Sequence, residues 1–261
     1  MAGPLYRQIA DQLRRMIESG DLKAGTQVPT EDQLMEEYQA SRNTVRGALK
    51  ELATRNLVYT RHGKGTFVSE RVRPIIITLT SDPETGRGGG EGRVYTTEVA
   101  ASGRDPQMEP LEVGLIKAGP AIAALLQIPE KTEVIVRHEN GHVDGLPWQR
   151  QTSYYPRRLE ARAPRLLETS NIKEGVVAYL AGLGIEQCGY RDEITWRTPD
   201  EAETSYFDLP ADGHIQVVEI RRIAFDQNGN RVRLTITLWR ADRNQFVINV
   251  GEVPPTARGQ A

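Results

Sequence analysis

Three stretches near the start of the chain carry apolar residues at helical spacing. The first predicts a helix that begins after Pro4 and ends at Gly20. Its apolar positions are Leu5, Ile9, Leu13, Met16 and Ile17. A second, short helix begins at the capping-box pattern Thr30-Glu31-Asp32-Gln33. Ser41 caps a third helix, and the three together predict a helix-turn-helix. The apolar face of this third helix is Val45, Ala48, Leu49 and Leu52.

The segment after the third helix predicts a basic hairpin, or wing. Residues 57–60 and 66–68 are strand-like, and they flank the glycine-rich run Arg61-His62-Gly63-Lys64-Gly65. A third helix that enters the major groove of DNA would place Arg42 and Arg46 near guanine edges or phosphates, and Asn43 near an adenine. Arg61 and Lys64 would supply charge to the adjacent backbone.

Two other interpretations of this region compete with DNA binding. Three amphipathic helices with scattered arginines also occur in domains that bind no nucleic acid, so the helices alone are ambiguous. The basic hairpin favours DNA binding. A phosphate loop around Gly63-Lys64-Gly65-Thr66 is excluded because the spacing Gly-x4-Gly-Lys-Ser/Thr is absent and no helix pattern follows.

The second part of the chain alternates between strand patterns and a few helix signals. Strands are predicted at 94–101, 132–137, 149–155, 185–196, 216–225 and 231–239. Turn sequences at 144–147 and 226–230 favour antiparallel hairpins. Helices are predicted at 120–127, at 173–183 and after a capping box at Thr198-Pro199-Asp200-Glu201. The fold class predicted for the whole chain is therefore α+β.

Length and composition indicate the number of domains and argue against a membrane-spanning, secreted or metal-binding protein. The 261 residues suggest two domains. No run of eighteen apolar residues occurs, so we expect neither a membrane-spanning helix nor a membrane partner. The start of the chain lacks a secretory pattern, so we expect a cytoplasmic protein. One cysteine, Cys188, and four histidines predict neither a disulfide nor a metal site, and no cofactor is expected.

Charge and glycine content divide the chain. Residues 1–73 carry 12 Lys and Arg against 9 Asp and Glu, whereas the remainder carries 21 against 26. Residues 81–93 hold five glycines and no aliphatic side chain, which is typical of a flexible join. We therefore predict a DNA-binding domain at 1–70, a linker at 71–93, an effector and dimerisation domain at 94–253, and a tail at 254–261. A short strand at 75–79 fits either domain.

The first domain resembles the winged helix-turn-helix of GntR-type transcriptional regulators. The resemblance rests on Pro29-Thr30-Glu31, on the run from Ser41 to Arg46 and on the run from Gly63 to Val68. It implies DNA contacts for Ser41, Arg42, Asn43, Thr44, Arg46, His62, Gly63 and Lys64. Some members of the family have a DNA-contacting arginine where this chain has Asp32, so that contact is not implied here.

The second domain resembles the UTRA effector-binding domain of the HutC branch of that family, whose fold is similar to chorismate lyase. The resemblance rests on residues 143–148 (Val-Asp-Gly-Leu-Pro-Trp), 151–156 (Gln-Thr-Ser-Tyr-Tyr-Pro) and 239–246 (Trp-Arg-Ala-Asp-Arg-Asn-Gln-Phe). Parts of the match also resemble actinomycete regulators of conjugative plasmids. The family pocket lies on the strands beside the Asp-Gly turn, on the next helix and on the last strand.

Carried onto this chain, the pocket predicts six effector-binding residues: Arg137, Glu139, Gln151, Ser153, Arg233 and Trp239. The arginines, serines and carboxylate with which relatives bind sugar phosphates are replaced here, and a phosphate would meet Glu139 and Glu174, so a sugar-phosphate effector is not expected. Arg233 with Trp239 suits a planar or anionic organic molecule. The alternative roles are structural: Trp239 in ordinary sheet packing, and Arg137 with Glu139 as a surface pair.

Catalysis is the main rival to regulation, because the resemblance includes an enzyme fold. His138 and His142 lie in a strand and turn context, and Cys188 has no histidine near it in sequence, so no enzyme is predicted. We expect a homodimeric, ligand-responsive regulator that binds an inverted-repeat operator and is released by a small-molecule effector. A small-molecule-converting enzyme and a DNA-binding protein without effector remain alternatives.

Overall fold

A computed structural model describes residues 4–55, 57–61, 63–69, 74–80, 93–209, 215–250 and 253. The chain divides into two compact units. One unit is Met1–Arg73 with Thr198–Gln216, and the other is Pro74–Arg197 with Val217–Ala261. The predicted flexible join lies outside the described residues except for residue 93, and so does the whole predicted tail at 254–261.

The first unit begins with three helices and a hairpin. The elements are α1 (Leu5–Ser19), α2 (Glu31–Tyr38), α3 (Arg42–Thr54), β1 (Val58–Arg61) and β2 (Gly65–Val68). Gly20 ends α1 in the left-handed region, where glycine is favoured. Thr30 and Gln33 form the predicted capping box of α2, and Ser41 caps α3 through the Thr44 amide. The predicted helix-turn-helix and its following hairpin are therefore confirmed.

One apolar core holds these elements together. Ile9 and Leu13 of α1 pack with Leu34 of α2 and with Val45 and Leu52 of α3, and all five are almost completely buried. Burying these side chains supplies the main free energy of folding for such a small unit. Because the apolar face of α3 points into this core, its opposite face is left on the surface.

The unit's later segment contains α7 (Glu201–Tyr206). The capping box predicted at Thr198 is wrong by two residues. Asp200 is the cap: its side chain accepts from the Glu203 amide at 2.8 Å, and Glu203 accepts from the Asp200 amide at 2.9 Å. Aspartate is at least as good a cap as threonine, and this later start places Phe207 in a fully buried position at the end of the helix.

The second unit is built on a seven-stranded antiparallel sheet with the order β4-β6-β7-β10-β9-β8, to which β5 adds by pairing with β6. The strands are β4 (Pro106–Met108), β5 (Glu112–Lys117), β6 (Glu133–Val143), β7 (Leu146–Pro156), β8 (Gln187–Arg197), β9 (Val217–Asp226) and β10 (Arg231–Arg240). Its helices are α4 (Arg93–Ala101), α5 (Pro120–Leu126) and α6 (Val176–Gly182). A parallel pair, β3 (Ile75–Thr78) with β11 (Asn244–Val247), completes the unit.

Most of this architecture was predicted. The hairpin turn at Asp144 and Gly145 has the positive φ angles of its turn type, and both predicted hairpins are antiparallel. The strand predicted at 94–101 is wrong, because these residues form α4. Thr96 and Thr97 favour a strand locally, but the helix buries Val99 completely and brings Glu98 to Thr78 of β3.

The two faces of the sheet have different chemistry. On one face, α5 packs through Ala123 and Leu126 against Val134, Ile223 and Leu234. The other face is apolar at one end, where α6 and two 3₁₀ turns cover Ile135, Tyr155 and Ala224. Its remaining positions are largely polar and buried, so this face is the one to examine for a ligand.

Candidate nucleic-acid interface and effector site

The first turn of α3 presents the predicted base-contacting residues. We call residues 41–46 the recognition turn. Arg42, Asn43 and Arg46 are exposed on it, with 54% of the Arg42 side chain and 63% of the Arg46 side chain accessible. Ser41 and Thr44 are engaged in the cap, where the Ser41 hydroxyl accepts from the Thr44 amide at 3.2 Å. The turn can therefore offer two guanidinium groups and one amide to a groove.

Two acids at the start of α2 contact these arginines. Arg42 Nη2 lies 2.6 Å from Asp32 Oδ1, and its Nε lies 3.9 Å from Glu31 Oε2. Arg46 donates through Nε to both Glu31 oxygens, at 3.0 and 3.1 Å. Reasoning from sequence treated Asp32 only as a departure from the family and missed both partnerships, although acids in the turn before a basic helix are a signal for them.

The wing is fastened to the segment that precedes α2. The Val28 amide donates to the Thr66 carbonyl at 2.8 Å, and the Gln27 side chain donates to the Lys64 carbonyl at 3.2 Å. Gly65 is required here because it has φ +110° and any Cβ would overlap the Gln27 amide. Gly63 and Lys64 are exposed at the tip. The predicted contact His62 and the side chain of Arg61 lie outside the described residues.

Strand register brings all six predicted effector residues to one face of the sheet. Arg137 lies opposite Ser153, and Glu139 lies opposite Gln151, across β6 and β7. Opposed residues in an antiparallel sheet share a face, and alternate residues along a strand do so too. On β10, Thr235 and Thr237 oppose Ser153 and Gln151, which puts Arg233 and Trp239 on the same face. We call this surface the polar face.

The polar face is buried yet incompletely hydrogen-bonded. The Ser153 and Thr235 hydroxyls lie 3.1 Å apart and satisfy one another. Gln151 is only 7% exposed, and within the part of the chain that the structure describes its Oε1 has no hydrogen-bond partner. Glu139 receives no hydrogen bond from any described residue. Burial raises the pKa of Glu139, and Arg137 nearby only partly opposes this. Unsatisfied buried acceptors of this kind are costly in a folded protein.

Arg137 makes a different set of contacts from those expected of a ligand-binding arginine. Its Nη1 donates to the carbonyl oxygens of Leu166 and Glu168 at 2.8 and 2.9 Å, with longer contacts to residues 165 and 170. The guanidinium therefore holds the segment 165–170 against the sheet. Glu174, beside α6, pairs with Arg165 at 2.6 Å. The predicted ligand contact by Arg137 stays a prediction, and its positioning role is visible in the fold.

Arg233 and Trp239 lie at two places along the last long strand. Arg233 donates to the Gln187 side chain at 3.0 Å. Trp239 is 1% exposed and makes an edge contact with Phe246 of β11, their ring centroids being 6.0 Å apart. Both side chains thus contribute to packing between strands, as the structural alternative anticipated. Whether they also bind an effector stays a prediction.

Sequence reasoning missed one buried ion pair on the same face. Arg222 of β9 lies opposite Thr235 and bonds Asp192 of β8 through two donors, at 2.6 and 2.7 Å. It also donates to the Leu79 carbonyl at 3.1 Å and stacks over Tyr190. Three charged residues, Glu219, Arg221 and Arg222, interrupt the apolar strand pattern at 217–225 and were the available signal, because charged residues are seldom buried without a partner.

Neither a membrane-spanning helix nor a metal cluster is found within the described ranges. No helix there combines the length and apolar character needed to cross a membrane. No group of three His, Cys, Asp or Glu side chains is placed there to hold a metal ion.

Comparison with known proteins identifies the family of both parts of the chain. Residues 5–68 match the family of bacterial regulatory proteins called gntR, and residues 101–245 match the UTRA domain. An uncharacterized HTH-type transcriptional regulator of Rhizobium meliloti is 31% identical over 244 residues, which are 93% of each chain. The HTH-type transcriptional repressor NagR of Bacillus subtilis is 26% identical over 94% of this chain and 93% of its own.

A crystal structure of a GntR-family transcriptional regulator shares the fold, with a TM-score of 0.66 at 24% identity over 96% of this chain and 98% of that one. The α+β fold class and the recognised domains are confirmed. Nothing in these matches supports the resemblance to conjugative-plasmid regulators. The chain belongs to the GntR family of bacterial regulatory proteins with a UTRA domain, and it is a ligand-responsive DNA-binding transcriptional regulator.

Proposed function

We propose that the protein is a homodimeric cytoplasmic repressor that leaves its operator when a small molecule binds the polar face. The relative NagR is named a repressor, which supports this sign of regulation. A dimer bound over a promoter blocks transcription without further machinery, and two-fold symmetry requires an inverted-repeat operator. The single observation that carries the effector site is the buried, unsatisfied carbonyl of Gln151.

The DNA-binding part of the proposal assigns the recognition turn to the major groove. Arg42, Asn43 and Arg46 are the exposed groups there that can hydrogen-bond base edges, while Gly63 and Lys64 of the wing approach the backbone. Ser41 and Thr44 cap the N-terminus of α3. Their hydroxyls, 2.8 Å apart, lie on the recognition turn and can contact a phosphate when this turn enters the groove. Arg61 stays in the proposal on the charge of the basic hairpin, and His62 on the resemblance.

The effector part of the proposal rests on three groups that can accept hydrogen bonds. Glu139, Gln151 and Thr237 are paired in register across three neighbouring strands, and we call them the acceptor row. The guanidinium of Arg137, which lies on the same face of β6 as Glu139, already donates to backbone carbonyls. A ligand that presents hydroxyl or amino groups satisfies the acceptors of this row, whereas the Glu139 carboxylate would repel a phosphate. The planar or anionic molecule expected from Arg233 and Trp239 stays an alternative prediction.

Linkage connects the two activities. An effector shifts operator affinity only by the difference between its affinities for the DNA-binding and the released forms of the dimer. Ordering of the acceptor row can create this difference in affinity. A bound ligand donates hydrogen bonds to acceptors that have no partner among the described residues of the ligand-free protein. The hydroxyls of Ser153 and Thr235 hydrogen-bond one another, so these two side chains keep their positions beside the bound ligand.

Selection of bound fragments from the source genome tests this function. The full-length protein should enrich a few fragments that share an inverted repeat, and metabolites related to the neighbouring genes should release them. Catalytic turnover of such a metabolite without DNA would favour the enzyme alternative, and release by no metabolite would favour a DNA-binding protein without effector. Failure to enrich any fragment would contradict the proposal.

A further inference from the structure

The acids at the start of α2 engage the two recognition arginines in different ways. Glu31 contacts both arginines and is 34% exposed, whereas Asp32 is 78% exposed and contacts Arg42. Both acids belong to the first turn of α2, whose capping box fixes their backbone. Their positions relative to α3 are therefore set by the helix-turn-helix itself rather than by a loose loop.

The atoms used in each pair determine what each arginine can still bind. Glu31 takes only Nε of Arg46, and the two terminal nitrogens of Arg46 donate to no described residue. Those two nitrogens form the end-on fork that matches O6 and N7 of guanine. Asp32 instead takes Nη2 of Arg42, which is one prong of the same fork. Arg46 is thus left with a complete fork, and Arg42 is not.

We propose that Glu31 is a positioning residue that aims Arg46 at one guanine of each half-site, and that Asp32 is a specificity-determining residue that keeps Arg42 from a second two-pronged base contact. The inference rests on the proposed DNA-binding function. An exposed carboxylate on the face that approaches DNA also repels phosphates. Asp32 therefore weakens binding to sequences of every kind, and operator binding then depends more on the guanine contact of Arg46.

The consequence is a division of labour between two arginines that look equivalent in sequence. Arg46 reads a base, and Arg42 pairs with Asp32 or exchanges that exposed pair for a phosphate. Exposed ion pairs are weak enough for such an exchange. Removing Asp32 should free the Arg42 fork, and removing the charge of Glu31 should loosen the aim of Arg46.

The test compares Asp32→Asn and Glu31→Gln with a matched control, Glu36→Gln. Glu36 is exposed one turn further along α2 and forms no ion pair with the described part of α3, so the control removes the same charge without breaking a pair. The full-length protein and each variant select sites from a random duplex library, and their affinities for the selected site and for a random duplex are measured over a range of salt.

For Asp32→Asn we expect about ten-fold less discrimination between the selected site and random DNA, a new guanine preference, and a salt slope on random DNA that steepens by about 0.9 for each protomer of the dimer. For Glu31→Gln we expect loss of one guanine preference and about ten-fold weaker operator binding, with little change on random DNA. Glu36→Gln should change both affinities by the same factor. Thermal unfolding of each variant checks that α2 is intact.

The outcomes separate this inference from the function on which it rests. If the wild-type protein selects no sequence, the proposed function fails. If the wild type selects a site but the two variants keep its base preferences, or if Glu36→Gln reproduces the effects of Asp32→Asn, the proposed roles of Glu31 and Asp32 are overturned.

Discussion

The recognition turn and the polar face both carry arginines, but the first leaves them in water and the second buries them. Arg42 and Arg46 are more than half exposed, with acid partners that a phosphate or base can replace. Arg137 and Arg222 are almost fully buried and bonded to backbone carbonyls or to Asp192. Exposed pairs cost little to break, whereas buried networks are costly to disturb.

This difference suits two kinds of binding. A DNA-binding surface that must be released when an effector binds needs charged side chains that can exchange an acidic partner for a phosphate or a base. A pocket for a small molecule needs a rigid frame with a few polar groups left unsatisfied, as at Gln151. Arg137 holds segment 165–170 against the sheet and makes the site rigid, whereas the acceptor row is free to bind the ligand. The predictions below test whether the exposed groups affect DNA binding alone and the buried groups affect stability.

The largest effect is expected for Arg46→Ala. Loss of a two-pronged guanine contact should cost about 1–3 kcal/mol in each half-site, and both half-sites of a dimer lose it together. Operator affinity measured by fluorescence anisotropy should fall accordingly, while the melting temperature stays unchanged. Arg15→Ala removes an exposed arginine from α1 and is the matched control. Equal losses in the two variants would show that only net charge matters.

The next effect is expected for Arg137→Met. This change leaves the carbonyls of residues 166 and 168 without their donor and should lower the free energy of unfolding by about 2–3 kcal/mol. Urea denaturation measures it. A stable variant that has merely lost its effector response would instead place Arg137 in the ligand site, as first predicted from the sequence.

Glu98 should make stability depend on pH. Burial raises the pKa of Glu98 to about 7, with hydrogen bonds from Thr78 opposing the shift. A raised carboxyl pKa means that the folded state favours the protonated form, so the contribution of Glu98 to stability is greatest below about pH 4.5 and is lost as the pH rises to 7. Glu98→Gln should therefore stabilise the protein at pH 8.5 by about 1–3 kcal/mol and have little effect at pH 4.

Thermal unfolding at several pH values checks this prediction. The wild-type and Glu98→Gln curves should converge below about pH 4.5 and separate progressively as the pH rises from 4.5 to 7. Parallel curves would mean that Glu98 ionises in the folded state as readily as in the unfolded chain.

The smallest effect is expected for Gln151→Met, and it has the opposite sign to that of Arg137→Met. Methionine has a similar shape and removes an unsatisfied carbonyl, so the free protein should gain about 1 kcal/mol of stability. Gln107→Met, in an exposed position on β4, should change stability by less than about 0.5 kcal/mol. A loss of stability in Gln151→Met would mean that the amide is satisfied in the empty protein.

Local signals predicted most of the fold. The caps at Thr30 and Ser41 and the glycine at position 20 act within one turn of chain, so the sequence alone specifies them. The turn at Asp144 and Gly145 likewise starts the antiparallel pairing of β6 and β7, although the register shifts between Gly141 and His142. The effector residues of the polar face were predicted from the family resemblance, because turn chemistry alone does not place that register shift.

Contacts between distant parts of the chain could not be predicted. α4 was predicted as a strand because its fit against β3 depends on where β3 lies, and β3 is placed by pairing with β11, far along the sequence. Likewise, the carbonyls that bind Arg137 become neighbours only when segment 165–170 folds back. Propensity and spacing carry no information about such partners.

The most direct test of the whole account is release of a fluorescent operator by a protein-free small-molecule extract of the source organism. The wild-type protein should bind the operator and lose it on addition of the extract. Gln151→Met should bind equally tightly and stay bound, because the acceptor row is broken while the recognition turn is intact. Release of both proteins, or of neither, would contradict an effector site on the polar face.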